Sequence, residues 1–149
     1  LGLDRLLMLR KGIPDIRLLR VPDPRVAAQM RDLSAYRAVS SMPGVRRDLS
    51  LVLDPDDTLE SLGDRVRLSL ALEAGVVESV EILSETPYED LPDSARRRMG
   101  ARPGQRNVLV RVLLRAYDRT LTTEECNQLR DRIYAALHRG ERSEWTTRP

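Results

Sequence analysis

Between Asn107 and Tyr117 the chain reads NVLVRVLLRAY, with Val108, Val110, Val112 and Leu114 on one face and Leu109, Arg111, Leu113 and Arg115 on the other. Alternation of period two over this length predicts a β-strand with one face in a core and the other tolerant of charge. Such a strand needs neighbours, and two lie upstream. RRDLSLVLD puts Leu49, Leu51 and Leu53 on one face ahead of a DPDD turn. VVESVEIL puts Val76, Val80 and Ile82 on one side, with Glu78 disturbing the alternation. Helical stripes intervene. Asp57 with Glu60 resembles a capping box and opens a helix striped by Leu59, Leu62, Val66 and Leu70, which Gly75 ends. Thr122 with Glu125 opens a second, striped by Cys126, Leu129, Ile133, Ala136 and Leu137 and capped by Gly140. A fourth strand fits around Trp145. The order strand, helix, strand, strand, helix, strand predicts an α+β fold: a ferredoxin-like split βαβ sandwich, a four-stranded antiparallel sheet with two helices on one face. Its other face is left open for a ligand or a partner.

The first 43 residues follow another pattern. Leu3, Leu6, Leu7 and Arg10 recur at helical spacing until Gly12 and Pro14 stop them, and Pro22 and Pro24 precede a second short helix within Arg25 to Tyr36. Residues 1–20 therefore form one helical piece, 21–43 a linker with a short helix, and 44–149 the sandwich. Ser84 to Gln105 holds three prolines and two glycines and reads as a long insertion with one helical turn around Ser94 to Met99.

Composition narrows the chemistry. The 149 residues contain a single cysteine, which excludes an internal disulfide, and a single histidine, which excludes a His-based metal cluster. Cys126 lies on an apolar stripe, Glu124 and Glu125 suit a first helical turn, and His138 suits a helix C-terminus, so no hydrolytic or redox site is evident. No apolar run approaches the roughly 20 residues of a membrane helix. A soluble, cytoplasmic chain is the expectation.

Of the 25 basic residues only Lys11 is lysine, and Phe is absent. Arginine suits bidentate phosphate contact, but a genomic bias toward Arg codons gives the same count. Position matters more than number. Residues 1–43 carry a net +4 and residues 44–149 a net −2, so nucleic-acid contact in the sandwich requires a local patch.

GLDRLLMLRKGIPDIRLL resembles the end of the third signature motif of class II aminoacyl-tRNA synthetases in its phenylalanyl form. MPGVRRDLSLVLD and YDRTLTTEECNQLRDRIYAAL resemble the start and second helix of that family's ferredoxin-fold anticodon-binding domain. The resemblance implies that Arg5 approaches the ATP triphosphate, with Gly2 allowing the nucleotide close. Asp4 stands where many members have Glu, and VPDPRVAAQM replaces a stretch that carries phenylalanines in the family. It also implies a parent that activates phenylalanine with ATP and magnesium and transfers it to tRNA. Having both parts on one chain resembles the single-chain, organellar type and implies a monomeric parent. Most groups that orient amino acid, phosphate and magnesium come in this family from upstream motifs, so no complete catalytic set and no metal or cofactor site is expected in this chain alone.

The tRNA contacts expected are Arg47, Arg111, Arg115, Arg119 and Tyr117 around the sheet, with Arg96, Arg97, Arg98, Arg102 and Arg106 in the insertion. A second reading stands beside this one for the strand arginines: Arg111 and Arg115 pair across the sheet with Glu81, Glu85 or Asp48. At the level of the whole protein, the acidic balance of 44–149 and the missing phenylalanines leave an alternative open. It is a non-catalytic synthetase-related paralogue whose ferredoxin-like domain binds protein or a small molecule.

Overall fold

The computed structural model describes residues 2–143. It divides into two compact units, Leu1–Ser41 and Met42–Pro149.

In the first unit, α1 (Leu3–Lys11) ends at Gly12. A 3₁₀ turn, Ile16–Arg20, follows with the Asp15 carboxylate capping its start, and α2 (Pro24–Gln29) is capped by Asp23 with proline in its first turn. The second helix is shorter than the expected span to Tyr36. Gln29 ends it by turning its side-chain amide onto the Arg37 backbone, donating to the carbonyl at 2.9 Å and accepting from the N–H at 2.8 Å. Lys11 organises the segment beyond. Its buried ammonium donates to the Ser34 carbonyl at 2.6 Å, the Asp32 carbonyl at 3.0 Å and the Asp32 carboxylate at 3.3 Å.

The second unit is α+β. β1 (Val45–Leu53), α3 (Leu59–Leu70), β2 (Val77–Pro87), α4 (Asp93–Met99), β3 (Arg106–Leu114) and α5 (Thr123–Leu137) follow in order. The described strands form an antiparallel sheet ordered β1-β3-β2, with the strongly alternating strand in the centre. This arrangement is compatible with a ferredoxin-like sandwich; the fourth strand expected around Trp145 lies outside the described residues. Val108, Val110, Val112 and Leu114 of β3 bury against Leu62, Val66 and Leu70 of α3 and Leu129, Ile133 and Leu137 of α5. Both helices thus cover one face, and removing that apolar surface from water is the main stabilising term.

Several local expectations shift. The capping box of α3 uses Thr58 and Ser61, not Asp57 and Glu60. Asp57 is occupied elsewhere, accepting from the Asp54 N–H at 3.0 Å and from Arg65 at 2.6 Å. α3 stops at Leu70, and a 3₁₀ turn from Ala71 to Val76 replaces the expected run to Gly75. β2 extends into the expected insertion because Ser84 to Pro87 pair with Leu109 to Arg106. Its imperfect alternation has a cause: register shifts at Val77/Ser79 and Ile82/Ser84 place Glu78 in a bulge. The C-cap of α5 is His138 rather than Gly140.

The face opposite the helices is not wholly open. α4 lies across one end of it, where Val52, Leu91 and Met99 form a small second core with Ala95 and Ala101.

Candidate nucleic-acid interface

The expected arginines separate into two groups by what their guanidinium groups touch. Arg111, on the open face of β3, holds Asp48 of β1 through two bonds of 2.8 Å. This is the cross-strand pairing that the alternative reading foresaw. It keeps the Asp48 carboxyl below the usual carboxylate range and raises Arg111. Arg115 is bound by Glu78 at 2.5 Å and also donates to the Met42 carbonyl. Its guanidinium holds the start of β1 and the β2 bulge together.

Arg106 faces the turn between β1 and α3, donating to the carbonyls of Asp54, Pro55 and Asp57 at 2.9, 3.1 and 2.5 Å, with Glu85 3.2 Å away. Arg96 closes the loop before α4 through the Tyr88 carbonyl at 3.0 Å and the Glu89 carbonyl at 2.7 Å, and its guanidinium lies 4.5 Å from the Tyr88 ring centroid. Arg119 is held by Glu125 of the α5 capping box at 2.8 Å. Together with the Thr122 N–H, Arg119 lowers the Glu125 carboxyl to about 2. Arg47 alternates with Val45 and Leu49 and sits opposite Val112, so it belongs to the helix side of the sheet, where its charge reaches Cys126. Burial pushes the Cys126 thiol up, as expected of a cysteine used for packing.

Arg97, Arg98 and Arg102 form the second group. They flank the C-terminus of α4, and all three are exposed. Arg102 approaches Glu141 at 3.8 Å, while the Arg97 guanidinium contacts no acceptor among the described residues. Tyr117 is 66% exposed in the loop before α5.

The position of α4 is built by a feature that the sequence reading missed. His138 accepts the Val52 N–H through Nδ1 at 3.1 Å, and its Nε2 donates toward the Arg142 carbonyl at 2.7 Å and the Met99 carbonyl at 3.2 Å. Tyr134 stacks on it at 4.8 Å. The ring, standing at the C-cap of α5, is thus a three-way brace between β1, the end of α4 and the turn at Arg142. Nearby the backbones touch. Gly100 adopts a φ of 62°, and a Cβ there would come within 2.5 Å of the Arg142 nitrogen; one on Gly140 would overlap the Met99 carbonyl. Two glycines separated by forty positions gave no periodic signal to reveal this contact.

In the first unit, Gly2 precedes α1 and Arg5 occupies its first turn, at one end of an open groove also lined by Met8, Ile13 and Ile16. The space beside Gly2 is free, with nothing within 4 Å of a notional Cβ. Asp4 turns to Arg20 at 3.8 Å. Among the described residues no group of three metal-ligating side chains converges, and no helix is long and apolar enough to cross a membrane.

No protein-family profile matches the chain. Individual proteins do. The mitochondrial phenylalanine–tRNA ligase of Saccharomyces cerevisiae is 29% identical over 142 residues, covering 92% of this chain and 28% of that protein. A probable mitochondrial phenylalanine–tRNA ligase of Drosophila melanogaster is 27% identical over 143 residues, 91% of this chain and 29% of the relative. The phenylalanine–tRNA ligase beta subunit of Symbiobacterium thermophilum is 34% identical over 104 residues, 70% of this chain and 10% of the subunit. The chain thus spans less than a third of the length of each of these curated relatives. Its sequence is that of a phenylalanyl-tRNA synthetase segment, related to those enzymes over most of its length.

Proposed function

We propose that this chain is the tRNA-contacting part of a phenylalanyl-tRNA synthetase that joins phenylalanine to tRNA with ATP. The observation that carries the reading is similarity running through both units to mitochondrial ligases, each a single named protein. The exposed arginines at the end of α4 support it. Arg111, Arg115 and Arg106 are held by internal partners, whereas Arg97, Arg98 and Arg102 are exposed side by side at the end of α4, where phosphate or unpaired anticodon bases can meet them. In this reading Arg5 of the first unit meets the triphosphate of ATP; the open groove that Arg5 lines together with Gly2 supports it. A polypeptide carrying both units needs no second subunit to bring them together, which fits a monomeric enzyme.

The test is phenylalanine-dependent exchange of pyrophosphate into ATP, and charging of tRNA, by the complete polypeptide that carries this chain. Both activities are expected. Exchange that phenylalanine does not stimulate would overturn the reading in favour of a non-catalytic paralogue.

A further inference from the structure

We propose that the turn following α5 joins the end of α4 in one arginine surface that grips RNA phosphates without regard to base sequence. The proposal rests on the tRNA reading above and adds to it Arg139 and Arg142, which the sequence patterns did not mark. Arg97, Arg98 and Arg102 are separated from them in sequence by the whole of β3 and α5, yet the backbone makes one piece of the two segments. The Arg139 N–H donates to the Val52 carbonyl at 2.8 Å, the Glu141 N–H donates to the Gly100 carbonyl at 2.9 Å, and the Arg142 guanidinium lies 3.4 Å from the Arg97 carbonyl. The His138 brace and the contact between Gly100 and Gly140 hold this junction from beneath.

Charge balance sets the surface apart from the rest of the sheet. Glu141 meets Arg102 at 3.8 Å, a loose approach beside the pairs of 2.5 to 2.8 Å that hold Arg115 and Arg111. Among the described residues the side chain of Arg139, like that of Arg97, contacts no acceptor. Cations at a helix C-terminus gain from its dipole, but only within the last turn. That accounts for Arg97 and Arg98 and leaves Arg139 and Arg142, which stand beyond their own helix, without a dipole reason. A rigid junction carrying outward guanidinium forks is organised in advance for phosphate oxygens. Bases find less here: Tyr88, just before α4, is covered by Arg96, and Tyr134 is buried against His138. Phosphate contacts fix position but carry no sequence information. The surface therefore contributes equally to cognate and non-cognate tRNA.

The experiment is equilibrium binding of the 149-residue chain to a phenylalanine tRNA and to an unrelated tRNA over a range of salt. The variants are R139A/R142A and R139K/R142K, with circular dichroism confirming an unchanged fold. The alanine pair is expected to weaken both tRNAs alike, about tenfold at low salt, and to reduce the slope of log affinity against log salt by about 1.5, for two phosphate contacts. The lysine pair is expected to recover most of the loss. Unchanged binding by the alanine pair overturns the proposal and leaves the tRNA reading standing. Weakening confined to the cognate tRNA overturns the claim of sequence indifference. If the unaltered chain binds neither tRNA, the functional reading fails and the proposal falls with it.

Discussion

Arg111 and Asp48 face each other across β3 and β1 and close a two-bond ion pair on the open side of the sheet, with both distances 2.8 Å. A guanidinium already committed to a carboxylate has to give up that partner before it can hold a phosphate. R111A is therefore expected to change tRNA affinity by less than about twofold, where one free phosphate contact would be expected to cost more. It should slightly lower the melting temperature. A loss as large as that caused by removing the α4 arginines would assign Arg111 to the interface.

The α5 capping box gives a pH dependence of defined sign. Glu125 is lowered from 4.5 to about 2 in the folded chain, first by Arg119 and then by the Thr122 N–H. A depressed carboxyl contributes stability that is present above its unfolded value and lost as pH falls through the folded one. Denaturant titrations from neutral pH downward should show E125Q less stable than the unaltered chain at neutral pH. The gap should narrow below about 4.5 and close near 2. A gap independent of pH would mean that geometry, not charge, does the capping.

Two glycine substitutions should act in opposite directions. G140A drives a methyl group into the Met99 carbonyl, and a cost of about 1–3 kcal/mol is expected from forced repacking. G63A, in the middle of α3, meets nothing closer than the flexible Arg67 guanidinium at 3.6 Å and should stabilise by up to about 1 kcal/mol through helix propensity. Thermal melts of the two variants decide both.

The single lysine has a structural reason to be a lysine. Its buried ammonium sends three donors to three acceptors on the exposed segment at Asp32 and Ser34, a tetrahedral arrangement that a planar guanidinium does not reproduce. K11M leaves the Asp32 and Ser34 carbonyls without a donor and should cost about 1–3 kcal/mol. Hydrogen exchange should show the loss as faster opening around residues 31–36.

What the sequence revealed followed the strength of its periodicity. β3 alternates without a break, and α5 combines an apolar stripe with a Thr122–Glu125 capping box, so both elements stand where their patterns placed them. β2 was harder to read because two bulges shift its register, and α3 because a Thr and a Ser made the cap that Asp57 and Glu60 mimic. The arginines were legible as residues but not as partners. Arg106 and Arg96 are spent on backbone carbonyls brought near by the tertiary fold. The junction of α4 with residues 138–142 left no local trace, since it depends on two glycines and a histidine that acquire meaning only when Met99 and Val52 come close.

The central claim, that the chain contacts tRNA through arginines at the end of α4, is tested most directly by the salt dependence of its tRNA binding. Fluorescence anisotropy with a labelled phenylalanine tRNA between about 50 and 200 mM salt should give a log–log slope of magnitude about 3–5. In R97A/R98A/R102A the slope should fall by about 2 or more and the affinity with it. Binding that is absent, insensitive to salt, or unchanged in that variant would contradict the account.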